Sequence, residues 1–103
     1  GDGSVVFVLM SGHTPGSVGM FVNLDEKRRY FFIGDTSWSS NPQGFANYKS
    51  KLARLISDQD IQATAMQIKH INAIKAAQPE IKIMPAHDEL AYLSLKTWPE
   101  WNR

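Results

Sequence analysis

Three residues of types that bind metals or move protons stand in comparable places along the chain. His13 lies in Ser11-Gly12-His13-Thr14-Pro15-Gly16, Asp35 follows Tyr30-Phe31-Phe32-Ile33-Gly34, and His87 follows Ile81-Lys82-Ile83-Met84-Pro85-Ala86. Each comes just after an apolar run that reads as a strand, and the carboxyl ends of strands are where sheets commonly present ligand-binding residues. Glycines around His13 permit unusual backbone angles and Pro15 stiffens the turn, a suitable way to hold an imidazole against a metal. Two imidazoles and a carboxylate form a donor set that Zn²⁺, Mn²⁺ or Fe²⁺ accepts. Taken singly, each residue has a plain structural explanation: a turn histidine, or an aspartate that caps a helix or shapes a turn. Position in sequence does not show that three distant residues converge, so the residues alone yield a candidate metal site and no more.

The elements that must position them can be read from local pattern. Val5 to Met10 is β-branched and aromatic between turn formers, the signature of a buried strand. Val18 to Leu24 and Tyr30 to Ile33 read as two further strands, joined by the charged turn Asp25-Glu26-Lys27-Arg28-Arg29. Ser37-Trp38-Ser39-Ser40-Asn41-Pro42-Gln43-Gly44 is too rich in turn formers for regular structure. Tyr48 to Ile56 predicts a short helix with Leu52, Leu55 and Ile56 on one side. A longer helix is predicted from about Gln59 to Ala77, with Ser57 or Asp58 as N-cap, Ile61, Ala65, Ile68 and Ile71 at helical spacing, and Pro79 closing it. Ile81 to Met84 alternates as a short strand, Pro85-Ala86-His87-Asp88 is its exit, and Glu89 to Leu95 predicts a helical turn or two. Strands first, then helices and a late strand, fit a mixed α+β fold in which helices cover one sheet face.

Composition narrows the function classes. A chain of 103 residues, 43% of them hydrophobic, suffices for one small domain or part of a larger one. Its formal charge of +1 gives no concentrated basic face for nucleic acid or an acidic membrane. The longest strongly apolar run, Val5 to Met10, falls well short of the roughly 20 residues that span a bilayer. The expectation is a soluble protein that binds neither nucleic acid nor membrane, in a compartment these residues do not specify. With no cysteine, a thiolate nucleophile, a disulfide framework and a Cys-ligated zinc finger are excluded. Gly1-Asp2-Gly3-Ser4 has neither the basic nor the apolar part of a leader and runs directly into a strand, so the start reads as the middle of a protein.

Taken together, Asp2-Gly3-Ser4-Val5 through Ser11-Gly12-His13-Thr14-Pro15-Gly16-Ser17, the hairpin, Phe32-Ile33-Gly34-Asp35-Thr36 and Pro85-Ala86-His87-Asp88 resemble, in order and spacing, the C-terminal half of the metallo-β-lactamase fold superfamily. The resemblance covers nearly the whole chain. It implies that residues 1–103 form a single C-terminal half-domain of an αββα sandwich, with two divalent metal ions, Zn²⁺ foremost, in a groove at the sheet edge of the intact protein. By position, His13 resembles a histidine on the first metal, Asp35 the carboxylate bridging both, and His87 a histidine on the second. A carboxylate can span cations about 3.5–4 Å apart, and a hydroxide shared between them attacks an ester, lactone or related electrophile. Asp35 is thus the expected catalytic residue.

The sequence also departs from the family. The principal motif His-x-His-x-Asp-His does not occur in these residues, and three ligands are too few for two tight sites. The resulting expectation is a fragment of a metal-dependent hydrolase, inactive alone, whose partners are a small-molecule substrate and the missing N-terminal half. A sheet face made to pack against that half would expose an apolar patch and drive binding to it or self-association into a homo-oligomer. Ser17 stands where the family often has another histidine, and no Cys-Gly-His-Glu-Tyr segment of the glyoxalase II type surrounds His87. The rival reading is a metal-free binding or interaction module on the same fold. Trp38, with Ser37 and Phe45, is expected to line the substrate groove. His70 is expected to be an ordinary helix histidine, and Asp88 either orients His87 or caps the next helix. Trp98 and Trp101 are expected to cover the core.

Overall fold

The charged turn between the second and third strands is built by one carboxylate. Asp25 Oδ1 accepts from the backbone N–H groups of Lys27 and Arg28 at 2.9 and 2.8 Å, and Arg28 Nε donates back to Oδ2 at 2.6 Å. These bonds satisfy loop donors locally, so the flanking apolar runs pair in one register. In the computed structural model, which describes residues 1–40, 44–45, 50–97 and 99–100, those runs are β2 (Val18–Asn23) and β3 (Arg29–Gly34). They pair antiparallel with Met20 opposite Phe32 and Val22 opposite Tyr30. β1 (Val5–Leu9) lies antiparallel on the outer side of β2, and β4 (Lys82–Pro85) lies parallel to β3. The sheet order is β1-β2-β3-β4. The parallel pair needs a long crossover, which contains the helices α1 (Lys51–Ser57) and α2 (Ile61–Ala77). A short α3 (Glu89–Leu93) follows β4. The fold is a mixed α+β arrangement, as the sequence pattern predicts.

The pleat sends alternate side chains to opposite faces, and the two faces have different fates. Val8, Phe21, Phe31, Ile33 and Ile83 share the face that packs with Ile68, Ile71 and Ile74 of α2, and Met10, Phe45 and Ile81 complete this core. The stripe of α2 that is buried is Thr64, Ile68 and Ile71, whereas Ile61 and Ala65 lie outside it. The other sheet face carries Phe7, Met20 and Phe32 opposite one another across β1, β2 and β3. Phe7 there is 66% exposed and Leu9 69%. β1 is therefore an exposed edge strand and not the buried one its unbroken apolarity suggests. The reason is that α2 covers only one face of the sheet. Leu52, Leu55 and Ile56 of α1 are likewise exposed. The expected apolar patch is present.

Two helix starts differ from expectation. Asp60, not Ser57 or Asp58, caps α2, accepting from Ala63 N–H at 2.8 Å. Ser50 caps α1, which begins at Lys51; Tyr48, where the sequence pattern starts this helix, lies outside the described residues, as do Trp98 and Trp101.

Candidate metal centre

β1 and β3 are both antiparallel to β2, and β4 is parallel to β3, so β1, β3 and β4 run in one direction. Their carboxyl ends therefore lie at one end of the sheet. His13, Asp35 and His87 follow those three ends, and topology brings them together. His13 Nε2 lies 3.8 Å from Asp35 Oδ2, and His87 Nε2 lies 2.8 Å from Asp35 Oδ1. One carboxylate thus stands between two imidazoles, one oxygen facing each.

Each member is held by its own local device. The His13 loop closes through Met10 N–H donating to Ser17 C=O at 2.8 Å and Ser17 N–H to Thr14 C=O at 3.2 Å. Ser17 Oγ accepts from Thr14 N–H at 3.1 Å, so the serine is a turn-former in this loop. The loop is pinned to the start of α2: Gln59 N–H donates to His13 C=O at 3.1 Å and Asp60 N–H to Gly12 C=O at 2.8 Å. The approach is close enough that a Cβ on Gly12, whose φ is +151°, would sit 2.6 Å from Thr64 N. Asp35 follows Gly34 at φ +55°, a left-handed turn that glycine makes at least cost. Gly34 C=O accepts from Ala86 N–H at 3.1 Å, tying the exits of β3 and β4 to each other. His87 packs edge-on against Trp38, with ring centroids 5.6 Å apart and planes at 64°.

Asp88 is the N-cap of α3, accepting from Ala91 N–H at 3.2 Å through Oδ1. Its Oδ2 accepts from Ser40 N–H at 2.9 Å and Ser40 Oγ–H at 2.8 Å. It thereby anchors the Trp38 loop beside His87, and no contact orients the His87 ring directly through Asp88 among the described bonds. Burial pushes the Asp88 carboxyl up, but the Ser40 hydroxyl and N–H, with the N–H groups of Ala91 and Leu90, outweigh it and hold the group below its ordinary value. A carboxyl lowered by folding stabilises the fold fully above the ordinary carboxylate range and loses that contribution as pH falls through the folded value. Asp88→Ala is expected to cost about 1–2 kcal/mol at neutral pH through the lost cap and Ser40 bonds. Urea denaturation of both proteins should show that gap narrowing below about pH 4; a constant gap would contradict the assignment.

Ser37 and Phe45 do not line a groove. Ser37 is fully buried and donates to Ser39 C=O at 2.9 Å, and Phe45 sits in the core with its backbone bonded at both ends to the Asn72 amide. Trp38 stays beside the site through His87. His70 is exposed on α2, as expected, with Gln67 Oε1 at 3.4 Å from Nδ1. The residue that sequence reasoning passed over is Asp58. Its side chain is fully buried and accepts from His13 Nδ1–H at 3.0 Å. A signal existed: Asp58 and Asp60 precede a single helix start, and only one of them can be its N-cap.

The donor chemistry fits one side of a divalent-metal site. Asp35 Oδ1 is buried yet has no aligned hydrogen bond, although His87 Nε2 is only 2.8 Å away. A cation held between the two would satisfy that buried oxygen. The set is not complete by itself. Among the described residues no group of three or more His, Cys, Asp or Glu side chains is disposed to hold a metal ion. No helix among the described residues is long and apolar enough to cross a membrane.

No family model and no curated protein matches the sequence. Solved structures do match the fold. An N-acyl homoserine lactone hydrolase with the product N-hexanoyl-L-homoserine bound at its catalytic metal centre superposes with a TM-score of 0.69 at 18% identity, over 96% of this chain and 36% of that one. A B. thuringiensis AiiA variant with N-decanoyl-L-homoserine at its active site matches with the same score, identity and coverage. AidC, a dizinc quorum-quenching lactonase in complex with a product, matches with a TM-score of 0.55 at 18% identity, over 95% of this chain and 29% of that one. The chain has the fold of part of these lactone hydrolases and spans about a third of the length of the structures it matches.

Proposed function

We propose that this chain contributes the His13, Asp35 and His87 side of the metal centre of a hydrolase acting on lactones or related esters. Asp35 would be the carboxylate shared by two divalent cations, with His13 holding one and His87 the other, and the remaining ligands would come from a segment outside residues 1–103. The observation that carries this is the single Asp35 carboxylate with one imidazole Nε2 facing each of its oxygens. Similarity of fold to lactone hydrolases, one of them dizinc, supports the substrate class and Zn²⁺ as the metal. The exposed β1 edge of the sheet face opposite α2, at Val5, Phe7 and Leu9, is where the rest of the domain packs.

Divalent cations held there supply Lewis acidity and activation of water. The chain's own residues do the rest. Asp35 keeps both imidazoles on one site, Trp38 limits rotation of the His87 ring by packing edge-on against it, and the Asp88–Ser40 anchor keeps Trp38 in place. Because the donor set is incomplete, residues 1–103 alone are expected to bind zinc weakly and turn over nothing.

The test joins two measurements. In a protein with a His-x-His-x-Asp-His segment encoded ahead of Gly1, homoserine lactone hydrolysis should be present, removed by a chelator and restored by zinc. In the 103-residue chain it should be absent. An encoded sequence without that segment, or a zinc-loaded protein that leaves lactones and simple esters intact, would overturn the hydrolase. The incomplete donor set would then favour a non-catalytic binding module on the same fold.

A further inference from the structure

We infer that Asp58 is a positioning residue for His13, fixing its imidazole in the Nδ1–H form so that the Nε2 lone pair faces the Asp35 side. Its functional meaning rests on the reading of His13 as a metal ligand, but its structural content can be measured without metal. A carboxylate has only acceptors to offer, so a 3.0 Å contact with Nδ1 requires that nitrogen to donate. In a neutral imidazole the other nitrogen then carries the lone pair. Here that nitrogen is Nε2, which lies 3.8 Å from Asp35 Oδ2, beyond hydrogen-bond distance.

Three further observations argue that this contact is more than packing. Burying a carboxylate is costly unless a partner compensates it, and the Asp58 side chain is fully buried while His13 is only about one-fifth exposed. Capping does not account for it, because Asp60 caps α2 and Asp58 ends α1 through its backbone N–H, donated to Arg54 C=O at 3.0 Å. Most telling, three consecutive residues grip one loop: Asp58 holds the His13 ring, Gln59 N–H its carbonyl, and Asp60 N–H the carbonyl of Gly12. The link between α1 and α2 thus sets the His13 backbone and its ring orientation together. A histidine ligand whose second nitrogen donates to a carboxylate is fixed in tautomer and made more basic.

The experiment is long-range ¹H–¹⁵N correlation of the histidine rings in the metal-free 103-residue chain in mildly alkaline buffer, with exposed His70 as the reference. His13 is expected in the Nδ1–H form. In Asp58→Ala it should shift to the Nε2–H-dominated mixture of a solvated ring. Asp58→Asn keeps the volume but offers Nδ1 a donor as well as an acceptor, so its Nδ1–H fraction should fall; this variant decides the matter if the alanine protein does not fold. An Nε2–H ring in the parent chain, or an Nδ1–H ring that persists in both variants, overturns the inference. In the protein that carries the whole proposed site, zinc affinity by isothermal titration should fall about 10–100-fold in the variants. An unchanged affinity despite a shifted tautomer would sever the positioning role from ligation. A protein with the whole proposed site that binds no zinc would count against the proposed function and leave the tautomer result to stand by itself.

Discussion

On the proposed function, Asp35→Ala in the protein that carries the whole site is expected to lower lactone turnover by well over 100-fold while leaving the fold intact. The reasoning starts from placement. Asp35 lies beyond β3, its side chain is more than a third exposed, and it belongs to no part of the apolar core. Removing a partly exposed group at such a place changes stability by about 0.5 kcal/mol or less. On that proposal the functional loss is of another order, because the Asp35 carboxylate faces both His13 and His87. Losing an outer partner of a metal ligand already costs about 10–100-fold, and a ligand shared by two cations should cost more. Metal analysis and a urea midpoint belong with the rate measurement. A large rate loss with reduced zinc and an unchanged midpoint is the expected set. Retained turnover with full metal content would overturn the bridging role, and a collapsed midpoint would show that Asp35 is structural.

The residues of this site were legible in the sequence one by one, but their convergence was not. His13, Asp35 and His87 each follow an apolar run, which is local information. Whether those runs end on the same side of a sheet depends on β1, β3 and β4 being co-directional, and no window of sequence contains that pairing. The strands themselves were readable to within a residue or two, since β-branched and aromatic runs between turn formers have few other solutions. What misled was burial. Val5 to Met10 is apolar on both faces and therefore reads as buried, yet α2 covers only the face of Val8 and Met10. Apolarity records what a surface is made to touch, not whether its partner is among the residues in hand. Asp58 was hidden for a related reason. An aspartate near a helix start has a local explanation as a cap, and that explanation masks a contact with His13, distant in sequence, unless Asp60 is seen to fill the capping role instead.

Phe31→Ala should unfold most of the chain at 25 °C, and Leu55→Ala should hardly be felt. Phe31 is 2% exposed on a central strand and stacks on Phe21 with ring centroids 3.9 Å apart and planes 3° from parallel. Truncating a buried phenylalanine costs about 3–5 kcal/mol, and the lost ring pair adds about 0.5–1.5 kcal/mol. Domains of this size hold about 5–15 kcal/mol in all. A sheet covered on one face belongs at the low end, so the substitution removes most of what is there. The same strand ends in Gly34 and leads into Asp35, which makes the core residue a support of the site as well. Leu55 is 72% exposed on α1, and truncation there should stay within about 0.5 kcal/mol. Urea denaturation of the two variants, followed by circular dichroism, separates the cases. Similar losses for both would mean that the α1 face is covered in solution, and a midpoint that rises with protein concentration would identify a second copy as the cover. A Phe31→Ala protein as stable as the parent would show that the α2-facing core is not what holds the sheet.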